Sequence, residues 1–159
     1  MRDKRFVALH RGGLLSKHNH RKLIRWAREC SEHVLPLLDG NIDKRLVHAL
    51  QVAQEWENEK IKVGEAMKAS VGAHAVAREP SNPVAIAVAR SIGHTVATAH
   101  MADHSLGGAL YALKAVKLAG KSINDERHWQ ITQLQQLTLE NMELVLTTMR
   151  KKGESLKIL

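Results

Sequence analysis

Between Gly64 and Gly120 the chain holds 15 alanines and 6 glycines, and this stretch constrains the fold more than any other feature of the sequence. Alanine is the strongest helix former, and its small side chain lets neighbouring helices approach closely. Strands favour aromatic and β-branched residues instead, whereas the whole chain has only 3 Trp, 1 Tyr and 1 Phe. The expectation is an all-α fold in which small residues line the helix crossings. Ala-His pairs occur at Ala73-His74 and Ala99-His100 but set up no fixed period, so the bias is compositional and not a helical repeat.

With 159 residues, 44% of them hydrophobic, the chain suits one domain over 1–159 with one continuous core. About six helices are expected. Residues 1–15 lack helical periodicity, and Arg11-Gly12-Gly13 reads as a turn, so a non-helical basic arm should precede the first helix. Ser16 is positioned to cap a helix over 17–38, with Leu23, Trp26, Ala27, Cys30, Val34 and Leu37 on one stripe, unless Pro36 ends it earlier. Asp43 caps a second through Glu59, facing inward with Leu46, Val47, Leu50, Ala53 and Trp56. The third, from Lys62 to Arg78, carries Val63, Ala66, Met67, Ser70, His74 and Ala77 inward, and Pro80 stops it.

Asn82-Pro83 opens a fourth helix, expected over 83–104 and apolar almost all round, hence the buried Ala-rich centre of the bundle. Leu106-Gly107-Gly108 reads as a break before a fifth helix that ends at Gly120. Ser122 and Asp125 suggest a capping box for a sixth, with Trp129, Leu134, Leu137, Met142, Val145 and Met149 inward and fraying over 152–159. Trp26, Trp56 and Trp129 read as core anchors, one per helix.

The net charge of +8 belongs to the ends of the chain. Nine Lys/Arg stand against Asp3 and Glu29 in residues 1–30, and four against Glu154 in residues 150–159. A basic end can hold phosphates or an acidic partner, or simply keep a flank solvated. Cys30, the single cysteine, excludes an intrachain disulfide, and no leader opens the chain, so the cytoplasm is the expected compartment. Arg90 and His94 interrupt the longest apolar run, which excludes a membrane span.

Ten histidines carry most of the chemical potential. His100 and His104 stand four apart, the spacing of two metal ligands on one helix face. His94 and Asp103 point elsewhere on that helix, and His74 or Tyr111 would have to arrive from neighbouring helices. No Glu follows His100, so the His-Glu-x-x-His hydrolase pattern is absent. The alternative is that His94, His100 and His104 are buried or groove-lining imidazoles bonded to backbone or to Thr95, Thr98 or Tyr111. Neither a nucleophile elbow nor a phosphate-cradling or dinucleotide-binding glycine motif occurs. Cys30 sits on an apolar stripe as a core residue does. The reading is of a chain that is not an enzyme and needs no cofactor.

Several strings are similar to one family. Phe6-Val7-Ala8-Leu9-His10-Arg11-Gly12-Gly13, His20-Arg21, Trp26-Ala27, Cys30 and Glu32-His33-Val34-Leu35-Pro36 resemble the opening of bacterial immunity proteins of the "immunity protein five-like" kind. Gly93-His94, Ala97-Thr98-Ala99-His100-Met101, His104 and Tyr111-Ala112 resemble its centre, and Glu126-Arg127-x-Trp129-Gln130 its late helix. The resemblance implies an α-helical protein that binds and neutralises a toxin of a polymorphic toxin system. It assigns no catalytic residue. The polar positions it matches, Arg11, His20, Arg21, His94, His100, His104 and Arg127, with Tyr111 beside them, form the candidate functional or structural cluster. Inhibitors of basic nucleases are expected to be acidic, so the basic charge here disfavours such a target.

Three functional classes therefore stand. One is a toxin-binding protein, with an exposed apolar or acidic patch. A second is a nucleic-acid or phosphate-binding module that uses the basic ends, which would bind with a steep salt dependence, although the few aromatics offer little stacking. A third is a metal-dependent helical enzyme built on His100 and His104. The alanine seam also suits a homodimer with the arm packed on its partner.

Overall fold

Four helices start where a side-chain acceptor waits for an amide that the helix itself leaves unpaired. Ser16 Oγ accepts from Asn19 N at 3.1 Å and opens α1, Lys17–Val34. The Asp43 carboxylate accepts from Arg45 N at 2.9 Å for α2, Lys44–Glu57. Asn82 Oδ1 accepts from Ala85 N at 2.9 Å for α4, Pro83–Ala97, and Ser122 Oγ from Asp125 N at 3.2 Å for α6, Ile123–Gln136. With α3 (Val63–Arg78), α5 (His104–Leu118) and α7 (Met142–Ser155), the computed structural model holds seven α-helices among the residues it describes, which are 2–79, 81–137 and 142–158. The chain is all-α, as its alanine content dictates, and no helix is long and apolar enough to cross a membrane among the described residues.

The fourth helix sits at the centre, packed most extensively on α5 and α3 and touching α1 and α2 as well. Val88, Ile92 and Val96 are fully buried on α4, as are Leu106, Leu110 and Leu113 on α5. Each such side chain contributes roughly 1.5–3 kcal/mol relative to an exposed one. Three hydroxyls tie α1, α4 and α5 together inside this core. Ser31 Oγ lies 2.8 Å from Ser91 Oγ and 2.7 Å from Thr95 Oγ1, while Ser91 donates to Gly108 O and Thr95 to Ala27 O. Only three hydroxyl protons are available for these four contacts, and all three side chains are fully buried. Trp26 is fully buried and donates from Nε1 to Gln130 O at 2.9 Å, which fastens α1 to α6.

Three boundaries differ from the sequence reading. Helix α4 ends at Ala97, not at residue 104, and residues 98–103 turn the chain into α5. Gly107 and Gly108 lie within α5 and do not break it. They act as spacers: a β-carbon at 107 would stand 2.7 Å from His94 Cγ, and one at 108 would stand 2.6 Å from Thr95 Oγ1. Helix α1 takes the earlier end that Pro36 allowed, stopping at Val34, and Leu35–Leu37 continue as a 3-10 turn around Pro36. The expected single sixth helix is described as α6 and α7, and residues 138–141 between them lie outside the described residues, as does the stop assigned to Pro80. Helix α7 runs to Ser155, and Ile158 is 2% exposed.

The N-terminal arm contains two 3-10 turns, Lys4–Phe6 and Leu9–Arg11. Leu15 N donates to Val7 O at 2.9 Å and Leu9 N donates to Leu15 O at 3.0 Å, closing the arm on itself. Gly12 takes φ +85° at the bend, and a β-carbon on Gly13 would collide with the Val7 carbonyl. Buried Phe6 and Leu15 pin the loop to the helices.

Candidate functional site

The turn between α4 and α5 leaves carbonyls that no helix partner claims, and two distant side chains take them up. His20 Nε2 donates to Thr98 O at 2.6 Å, and Arg11 Nη1 donates to His100 O at 3.3 Å. The arm, the start of α1 and this turn thereby enclose a cleft of about 960 Å³, completed by Trp56 at the end of α2 and by Val63 and Met67 on α3. The His20 ring rests on Trp56, centroids 4.8 Å apart. Burial lowers the His20 pKa, with the bond to Thr98 O working in the opposite direction, so this ring is neutral near pH 7.

Among the described residues no Asp or Glu lines the cleft, whereas Arg2, Arg11 and Lys17 do, together with His10, His20 and His100. Lys17 and Arg21 pair with Glu59 just outside it, and Arg2 reaches Asp103 at 3.4 Å. Arg11 has no carboxylate partner among the described residues. The floor and one lip are apolar. Val63 and Met67, read from sequence as inward-facing, are 41% and 43% exposed, and Leu9 on the arm is 59% exposed. Helix α3 has two apolar stripes. Ala66, Ala69, Ala73 and Ala77 pack inward, while Val63, Met67 and Val71 stand on the outer one. Val47 on α2 is likewise exposed, contrary to its expected place in the core.

His94, His104 and Tyr111 form a separate group with His74 and Arg90, between α3, α4 and α5. His94 Nδ1 lies 3.1 Å from His104 Nδ1, its ring stacks on Tyr111 at 5.2 Å, and the edge of His74 meets it at 5.1 Å. Arg90 Nη1 donates to His74 Nδ1 at 2.8 Å. A guanidinium cannot accept, so His74 must be neutral with its proton on Nε2. Of the facing nitrogens on His94 and His104, one bears a proton and the other accepts it. Burial is the main cause that lowers all three pKa values, to about 4 for His74 and about 3 for His94, with the Arg90 charge next for His74 and His104 next for His94.

The pairing of His100 with His104 does not occur on one helix face, because the helix ends between His94 and His104. His100 goes to the cleft and His104 to the imidazole group. No three His, Cys, Asp or Glu side chains are grouped to hold a metal among the described residues. Arg127 lies half-buried on α6 and lines neither place.

Sequence reasoning also passed over a pair on the opposite side. His33 Nδ1 meets both Glu126 oxygens, at 2.7 and 2.9 Å, and its ring stacks on Trp129 with centroids 3.6 Å apart. These residues line a smaller hollow of about 490 Å³. Trp56 and Trp129 carry histidines while packing, partly buried, against the core, and of the three tryptophans Trp26 alone is fully buried. Spacing within one helix gave no signal for either ring pair, since each joins two helices far apart in sequence.

No curated protein and no solved structure matches the chain. A family model described as "Imm-5 like putative immunity protein" matches residues 13–137, a span that takes in the walls of the cleft from α1 to α5 and the whole imidazole group. With most of its length matched, the chain belongs to the Imm-5 like immunity protein family.

Proposed function

We propose that this protein binds a bacterial toxin in the cytoplasm and neutralises it by occupying its surface, performing no chemistry of its own. Membership of the immunity family supports this reading, and one structural observation carries it. Leu9, Val63, Met67 and Val71, each more than 40% exposed, are large apolar side chains at or beside a single cleft. Scattered apolar residues are ordinary on a surface, whereas a cluster at a concave site marks a place where another molecule packs. The partner is a protein, because an open cleft with an apolar lip extending along α3 offers area more than enclosure.

The reading predicts a toxin domain encoded beside this gene, and the test is to produce that domain with and without the protein. Relief of growth arrest and a 1:1 complex in size-exclusion chromatography are expected. Full toxicity with no complex overturns the reading.

A further inference from the structure

We infer that the cleft between the arm and α3 is the docking site for that partner, and that it receives an acidic segment bearing a large apolar side chain. The inference rests on the toxin-binding reading above and adds to it the surface used and the chemistry of what enters. Charge carries the argument. The cleft is lined by three Lys/Arg and, among the described residues, by no carboxylate. Arg2 is already committed to Asp103 and Lys17 to Glu59, but Arg11 is held only by a carbonyl, which leaves its charge unneutralised.

Lys62 and Lys68, neighbours in sequence of Val63 and Met67, are exposed and without carboxylate partners among the described residues, and Glu65 is the exposed acid between them. A carboxylate brought to Arg11 would gain a charge-assisted hydrogen bond from a guanidinium that the His100 carbonyl already orients. An apolar side chain one or two turns away on the partner would cover Met67 and Trp56. A basic segment would meet like charge in the cleft and leave Arg11 unpaired, which is a penalty and not merely a missing gain.

The experiment measures affinity for the same neighbouring toxin domain at two salt concentrations, using the intact chain and three variants confirmed by circular dichroism to be folded. Arg11→Glu and Met67→Asp alter exposed side chains at the cleft. Lys117→Glu makes the same kind of charge reversal near the far end of α5, about 20 Å away along that helix. The expected result is a loss of about tenfold or more for each cleft variant, a weaker salt dependence for Arg11→Glu, and less than about twofold change for Lys117→Glu. Unchanged affinity in both cleft variants, with the unaltered protein binding, overturns this inference and leaves toxin binding in place. A homodimer dissolved by Met67→Asp, with toxin affinity unmoved, assigns the cleft to a second copy and overturns it as well. If the unaltered protein does not bind the toxin, both readings fall.

Discussion

Gly93 lies directly against the imidazole of His74: a β-carbon at position 93 would stand 2.6 Å from both Cε1 and Nε2 of that ring. The glycine is there for space, since its backbone is ordinary α-helix. Gly93→Ala should therefore destabilise the protein by about 1–3 kcal/mol through overpacking. Gly72, on the neighbouring helix, has nothing within 4 Å of such an atom, so Gly72→Ala should stabilise by up to about 1 kcal/mol through helix propensity. Urea unfolding of the two variants checks the pair; equal effects would show that ring contact is irrelevant.

The imidazole group makes stability depend on pH in a defined direction. In the unfolded chain His74, His94 and His104 take up protons near about 6.5, whereas in the fold burial first, and neighbouring charge second, hold His74 to about 4 and His94 to about 3, with His104 also lowered. Between those limits the unfolded state binds more protons, so stability rises with pH. It is fully present above the unfolded value and is lost as pH falls toward the folded ones. The unfolding midpoint should drop between pH 7 and pH 5, and His94→Gln should flatten that dependence. A midpoint constant over this range in the unaltered protein would contradict the assignment.

His33 and Glu126 should show strong mutual dependence. Glu126 is 8% exposed, and its oxygens face His33, so removing the imidazole strands a carboxylate in poor solvent. His33→Ala alone is expected to cost more than His33→Ala combined with Glu126→Gln. A double-mutant cycle should give a coupling of about 0.5–3 kcal/mol, and a value near zero would mean that stacking on Trp129 alone holds the ring.

Cys30 is fully buried, and burial, with the nearby Glu126 charge second, raises its thiol well above its usual pKa. Only the thiolate reacts readily. Native protein at pH 8 should therefore resist a thiol reagent for as long as it stays folded and react fully in denaturant, which a colorimetric thiol assay reads directly.

Much of the fold was legible in the sequence because helix starts are local events. Ser16, Asp43, Asn82 and Ser122 each cap within three residues, and the alanine stripe of α3 follows helical spacing. The break between α4 and α5 was not legible, because no glycine or proline lies within 98–103; what accompanies it is the capture of Thr98 O and His100 O by His20 and Arg11, 78 and 89 residues away. The glycine pair at 107–108 misled for the same reason, since a spacer and a breaker are identical until the neighbouring ring is known. Arg11, His20 and His100 could be singled out as polar positions, but not as walls of one cleft. The outward stripe of Val63, Met67 and Val71 was open to view, and a helix with two apolar faces where its neighbours need only one is the signal that could have exposed it.

The arm keeps its course through main-chain hydrogen bonds, Leu15 N to Val7 O and Leu9 N to Leu15 O, and through buried Phe6 and Leu15. The side chains it presents at Leu9, His10 and Arg11 play no part in those bonds. Under the docking proposal above, recognition and folding are thus written in different atoms of the same segment, with Arg11 serving both through its bond to His100 O. On that proposal, exchanging Leu9 or His10 would retune which partner is bound, one residue at a time, while the main-chain scaffold that displays them stays as it is.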